Sequence, residues 1–378
     1  MPNQRIGFLG GGQLAKMMAQ SAQQLGFSVW VLDPDPLCPA HFVADNHIVA
    51  GFGDENGIRE LASHCNICTY DLEHIDTNVI SKLQAEGFSF APSPEILSTI
   101  QDKGVQKEFL ASRGIPMPKF QRYSHYQREA ILAFGLPCVQ KTCKGGYDGR
   151  GVLVLQTEKD LDNCFQHNFL LEEMVNIEKE LGIIVARDKK GNIVSYPVTE
   201  MVFDPAANIC DMILVPAKIP EHIAREAQEI AISCVEAFQG VGVFGVELFL
   251  DTHGKVLYNE MAPRPHNSGH YTIEACITSQ FEQHIRCITG LPMGAPDLRS
   301  PAIMFNLLGE VGYEGKPVIE GLEEALSLPG LSFHFYRKAI TKPYRKMGHV
   351  TIIAPTVEEA LQKALSIKPK IHIRSEVV

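Results

Sequence analysis

The sequence has no apolar run of membrane-spanning length, a single tryptophan and no excess of basic residues. The first absence excludes a chain anchored by a transmembrane helix. The last, a formal net charge of −10, makes the molecule as a whole repel a nucleic-acid backbone. Neither nucleic acid nor membrane is therefore an expected partner, and any anionic ligand must meet a local cluster of cations. No second Cys-x-x-Cys accompanies Cys65 and Cys68, so a zinc ribbon is excluded, and the ten cysteines read as small buried apolar side chains. The lone tryptophan, Trp30, leaves intrinsic fluorescence a poor reporter of movement outside the first domain. The opening residues, MPNQRIGFLGGGQLAKMM, lack the uninterrupted apolar core of a secretory signal, and the expected location is cytoplasmic.

What remains is a globular composition, 45% hydrophobic and 21% charged, on 378 residues, a length that suits two or three domains. Residues 5–9 read as a buried strand, followed by glycines, a helical pattern ending near Gly26 and a second strand that stops at prolines. Gly10, Gly12 and Ala15 fit G-x-G-x-x-A, and Asp33 ends the second strand where a ribose-binding acid would sit. A nicotinamide-dependent dehydrogenase is thus the first hypothesis. The stretch 91–103 marks a boundary, with Ser93 as a candidate cap and Pro94 at the first helical position.

Two further segments carry chemistry. KGGYDGRG, at 144–151, has the glycine content of a loop whose backbone approaches an anion, although tight turns share it. VFGVELFLDTHGKVLYNEM alternates around a polar turn as an antiparallel hairpin. If it folds between His253 and Gly254, Glu247 faces Glu260, with Phe249 and Tyr258 on the same face. Two carboxylates opposed across a ladder repel, and a divalent cation reverses that sign. Mg²⁺ suits this set, with Asn259 adding an oxygen nearby. Immediately after come Arg264, His266, Asn267 and Ser268 in APRPHNSGH, a guanidinium fork and hydrogen-bonding groups on a proline-fixed loop that fits a small planar anion.

With Lys103 opening a helix and Lys141 ending a strand before the glycine loop, these parts resemble the ATP-grasp fold. GGYDGRG, NEMAPRPHNSGH and YRKMGHV more narrowly resemble the N5-carboxyaminoimidazole ribonucleotide synthases of purine biosynthesis, from Gly7 to about Val350. The resemblance implies a mixed α/β and α+β, three-domain architecture. A Rossmann-like domain would span 1–96, an ATP-grasp domain 97–300 with a small lid subdomain at about 115–175, and a small β-rich domain 301–378. It implies ATP and Mg²⁺, or Mn²⁺, as cofactors, aminoimidazole ribonucleotide and bicarbonate as reactants, and a homodimer. Lys103, Lys141, Gly145, Gly146 and Gly149 would lie against ATP phosphates, Glu172, Glu173 and Val175 would line the adenine hinge, and Glu180 would accept from the ribose. Glu247 and Glu260 would hold the metal. Gln13, Glu73, Tyr147, Asp148, Arg150, Asn267 and Ser268 would face the ribonucleotide, with Lys338, Arg345 and Lys346 near its phosphate. Arg264 and His266 would hold bicarbonate, and Asp148 or His266 would serve as base.

On this reading the glycine turn of the first domain belongs to the acceptor site. The dehydrogenase hypothesis recedes, because it leaves the glutamate hairpin and PRPHNSGH without a role. The closest rivals are other ATP-grasp ligases: a formate-dependent ribonucleotide transformylase or a biotin-carboxylase-like enzyme.

Overall fold

A computed structural model describes residues 4–146, 151–204 and 209–376. The alternation of apolar runs with helical patterns at the start of the chain becomes a four-stranded parallel sheet. Its strands Asn46–Ile48, Ser28–Leu32, Arg5–Leu9 and Ile67–Tyr70 lie side by side in that order. The helix Gln13–Gln24 follows the first strand and buries Leu14, Ala15, Met17 and Met18. Pro94 does open the helix Pro94–Gln101, but the Ser93 side chain makes no cap hydrogen bond there, and the chain continues into a separate helix, Lys103–Ala111. Asp102 caps that second helix by accepting from the Gly104 and Val105 N–H groups at 3.1 Å.

A second, antiparallel four-stranded sheet places Phe120–His125, His167–Glu173, Cys138–Thr142 and Val152–Leu155 in that spatial order. Among the described residues the largest sheet has nine strands, one of which, Ile193–Ser195, pairs with Ile177–Arg187 off the main path. It starts with the hairpin Gly242–Asp251 and Val256–Ala262, passes through Ile177–Arg187, Thr199–Asp204 and Ile209–Val215, and continues into Ala302–Leu308, Lys346–Ile353 and Leu331–Phe335. The chain after residue 300 therefore extends this sheet, with Met212 opposite Phe305 and Ile213 opposite Met304. On one face of the sheet the helix Glu221–Phe238 lays Ile223, Ala227, Ile230, Cys234 and Val235 over Leu181, Ile183, Phe244 and Val246.

The hairpin register puts Glu247 directly opposite Glu260. One expectation needs correction. Asn259 is an extra residue on its strand, so the next pair is Leu248 with Tyr258, Phe249 faces Leu257, and the turn is centred on His253, not between His253 and Gly254. Tyr258 is consequently turned into the core and fully buried, away from the face that Phe249 shares with Glu247.

Candidate active site

The glycine turn after the first strand closes on the chain's own carboxylates. Gly11 N–H donates to Asp33 Oδ2 at 2.7 Å, while Gly12 and Ala15 N–H donate to the two Asp71 oxygens at 2.6 and 2.7 Å. A Cβ on Gly12 would stand 2.3 Å from Asp71 Oδ2, so glycine is required by this close approach. Burial raises the Asp71 pKa, and the two N–H donors oppose that rise. The amides that would cradle a dinucleotide pyrophosphate are thus occupied, and Asp33 is buried beneath the turn, not open to a ribose.

Beside this turn lies a cavity of about 890 Å³ that draws on all parts of the chain. Gln13 and Glu73 line it from the part of the chain that holds the first sheet, Lys103, Gly145, Gly146, Glu247, Glu260, Arg264, His266 and Asn267 from the middle, and Lys346 from the segment after residue 300. The two glutamates of the hairpin already have partners: Lys103 pairs with Glu260, and His266 Nε2 lies 3.2 Å from Glu247 Oε1. Because Ser268 N–H donates to His266 Nδ1, the neutral ring carries its proton on Nε2, facing Glu247. Burial, then the nearby Lys141, lower the Lys103 pKa to about 8.

Arg264 crosses from the proline-fixed loop to the first domain, where its guanidinium meets both Glu73 oxygens at 2.7 and 3.0 Å. Gln280 pins the same loop by accepting from the His266 N–H and donating to the His266 carbonyl. Asn267 exchanges two amide hydrogen bonds of 2.9 Å with Asn306 of the sheet's extension. Ser268 is buried and serves His266; it does not line the cavity.

A second polar group sits behind the cavity. Lys141 Nζ lies 2.8 Å from Glu172 Oε2 and donates to Asn259 Oδ1 at 2.9 Å, so the hairpin bulge gives Lys141 a partner. Burial would raise the Glu172 pKa, but Lys141 and Lys107 overrule it and bring the carboxyl down to about 2. Glu180, on the strand Ile177–Arg187, shows the opposite: burial, and then the charge of Glu247, push it up to about 7.

Other expected residues lie elsewhere. Glu173 is exposed and accepts from Lys119 N–H, and Val175 is half-buried in the turn that links two strands. Arg345 donates to the Ile340 carbonyl and Lys338 lies over the Tyr336 ring, both outside the cavity lining, whereas Lys346 reaches it. Tyr147, Asp148, Gly149 and Arg150 fall outside the described residues. Sequence reasoning missed Asp71, Lys107, Gln280 and Asn306. Only Asp71 had a usable signal, as an acid at the end of a strand beside the glycine turn.

Comparison with known proteins gives this geometry a context. Residues 3–101 match the ribonucleotide synthetase preATP-grasp domain, 108–281 the ATP-grasp domain, and 302–363 the phosphoribosylaminoimidazole carboxylase C-terminal domain. The chain is 38% identical to the N5-carboxyaminoimidazole ribonucleotide synthase of Bacillus subtilis, covering 96% of this chain and 94% of that one. This chain belongs to the N5-carboxyaminoimidazole ribonucleotide synthase family of ATP-grasp ligases. A crystal structure of the synthetase from Thermotoga maritima superposes with a TM-score of 0.92 at 52% identity, covering 99% of this chain and all of that one. The Aspergillus clavatus enzyme in complex with ADP and 5-aminoimidazole ribonucleotide gives 0.89 at 35% identity, over 98% of this chain and 99% of that one. The chain spans only 64% of the chloroplastic phosphoribosylaminoimidazole carboxylase of Vigna aconitifolia, to which it is 38% identical. Among the described residues no helix is long and apolar enough to cross a membrane.

Proposed function

We propose that the chain carboxylates the exocyclic amine of 5-aminoimidazole ribonucleotide with bicarbonate at the expense of ATP, giving N5-carboxyaminoimidazole ribonucleotide, ADP and phosphate. One observation carries this reading: a single cavity joins Lys103 and the Glu247/Glu260 pair to Arg264, Glu73, His266 and Lys346. The first set suits a transferring phosphoryl group, the second an anionic acceptor.

Bicarbonate is a poor electrophile because amine attack must expel hydroxide. In the proposed sequence a bicarbonate oxygen attacks the γ-phosphorus and ADP leaves, so that carboxyphosphate carries a good leaving group. The amine then attacks the carboxyl carbon, phosphate departs, and the N–H proton passes to a base. Arg264 and His266 hold bicarbonate in line, and Lys103 and Lys141 neutralise charge on the phosphates. Glu73 keeps the guanidinium aimed while both of its oxygens are engaged. Glu247 and Glu260 suit Mg²⁺, an ion usually held by one or two carboxylates together with nucleotide phosphates. When bound, the ion would withdraw charge from the phosphate oxygens. Ser268 N–H holds His266 Nδ1, so Nε2 carries the proton, and with Glu247 turned to the metal that N–H would be released to donate to bicarbonate; a ring engaged in this way leaves Asp148 as the proposed proton acceptor. The hinge contacts to adenine fall to Glu173 and the Val175 backbone, with Glu180 on the ribose, and the assembly we expect is a dimer, to be read by sedimentation.

The test is phosphate release from ATP with Mg²⁺ and bicarbonate, with and without the ribonucleotide, beside formate and biotin controls. Release that needs both bicarbonate and the ribonucleotide supports the assignment. Stimulation by formate or biotin instead overturns it. Arg264→Ala is expected to lower carboxylation by about 100-fold or more while ATP affinity changes less than about threefold; equal losses in both would remove its role.

A further inference from the structure

The helix Lys103–Ala111 supplies two lysines one turn apart, and a spacing of four residues places both on one face. Lys103 reaches the cavity. Lys107 does not: it is 2% exposed, absent from the cavity lining, and its Nζ lies 3.0 Å from Glu172 Oε1. Glu172, also 2% exposed, thus has one ammonium on each oxygen, Lys107 on Oε1 and Lys141 on Oε2. The surroundings of Lys107 are aromatic, with Nζ 5.5 Å from the Tyr258 ring centre and 6.0 Å from that of Phe120.

This is a costly arrangement to keep for stability. Lys107 Nζ and Glu172 Oε1 are buried, lie 3.0 Å apart and are poorly aligned for a hydrogen bond, so their contact is held chiefly by charge. Buried ion pairs of this sort are commonly replaceable by apolar side chains without loss of stability. The charge balance gives the triad another use. Lys107, Glu172 and Lys141 together carry a net charge of about +1, and without Lys107 the Glu172 and Lys141 charges cancel. The group also spans three elements: Lys107 on the helix, Glu172 and Lys141 on the four-stranded sheet, and Asn259, the acceptor for Lys141, on the hairpin.

We propose that Lys107 is a positioning residue for ATP. By satisfying one oxygen of Glu172 it leaves Lys141 with a free share of positive charge for a nucleotide phosphate, and it fixes the lid sheet to the helix that carries Lys103. The inference rests on the assignment of Lys141 to ATP in the reading above. It does not depend on which acceptor is carboxylated.

The experiment is equilibrium ATP binding by titration calorimetry on the full chain, together with ribonucleotide-dependent turnover. Lys107→Met should weaken ATP binding by about tenfold, and raise KM for ATP alongside it, with a KM for the ribonucleotide within about twofold of wild type. Lys107→Arg should recover most of the loss. The double variant Lys107→Met/Glu172→Gln removes the anion as well as the cation, returns Lys141 its charge, and should restore ATP affinity to within about threefold of wild type. Wild-type affinity in Lys107→Met, or a double variant that folds and binds ATP as weakly as the single one, would overturn the proposal. If Lys107→Met does not fold, the ATP affinity of the Arg and double variants still decides it. Should wild-type turnover ignore the ribonucleotide while the calorimetric pattern holds, the acceptor assignment fails and the role of Lys107 stands.

Discussion

Glu180 carries a cost that pH exposes. Its ordinary pKa is 4.5, and in the fold burial, followed by Glu247, raises it to about 7. Between those values the folded chain keeps a proton that the unfolded chain has released. Stability from this group therefore falls as pH rises through that window, and is level above it. Glu180→Gln mimics the protonated form at every pH. Thermal unfolding should show the variant about 2–4 °C above wild type at pH 8 and indistinguishable from it near pH 4.5; a constant gap across that range would assign the difference to packing. Glu172 works with the opposite sign. Its depressed pKa stabilises the fold above 4.5, and that contribution is lost as pH falls toward 2. Neither residue announces its environment in the sequence. Glu172 follows the apolar run Phe169–Leu171 and Glu180 stands among charged residues, and only the chain folding back sets one between two lysines and the other near a second carboxylate. Lys107 was hidden for the same reason, since a lysine four residues after another on a helix usually marks a solvated face. The Glu247–Glu260 pairing was legible only in part: the alternation marks a local hairpin, but its turn centres on His253, and the extra residue Asn259 supplies the shift that brings the two glutamates opposite each other.

The elements themselves were equally uneven. The first strand–helix–strand unit, the final helix Val357–Ile367 and the turn between Ile177–Arg187 and Ile193–Ser195 all follow from local pattern and turn chemistry. The bulge at Asn259 does not, because no glycine or proline marks it. Its consequence is testable on the hairpin. Deleting Asn259 would leave Leu248 opposite Tyr258 and Glu247 opposite Glu260, so the ladder closes without a slip of either face. What disappears is the oxygen that accepts from Lys141 Nζ. The expected outcome is cooperative unfolding within a few degrees of wild type, and a KM for ATP raised about three- to tenfold. Loss of cooperative unfolding would show that the bulge serves the fold. The glycine turn of the first sheet teaches the complementary lesson. Its G-x-G-x-x-A spacing was read correctly as a tight turn before a helix, yet the anions it holds are Asp33 and Asp71, which lie 22 and 59 residues from their N–H donors. Spacing alone cannot say who fills such a turn.

At the scale of the whole molecule, the segment 301–378 reads in sequence as a module of its own, with short strands and a last helix. Strand pairing between distant segments leaves no local trace, and the structure joins this segment to the rest through the strand Ala302–Leu308, seated against Ile209–Val215. Met212 and Leu214 share one apolar cluster with Ile303, Phe305, Leu307, Val350 and Ile352. The Asn267–Asn306 amide exchange ties the same seam to the loop of Arg264 and His266, and Lys346 brings a cation from beyond the seam into the cavity. A chain ended at residue 300 would therefore expose the unpaired edge of Ile209–Val215 and strip the cover from Met212 and Leu214. Exposed apolar edges of this kind pair with other chains. The shortened protein is expected to aggregate, measured by light scattering, and to show no cooperative thermal transition. A soluble, cooperatively folding 1–300 fragment that binds ATP with wild-type affinity would mean that the seam matters to the acceptor side alone, and that the nine-stranded sheet divides at Val215 into parts that fold independently.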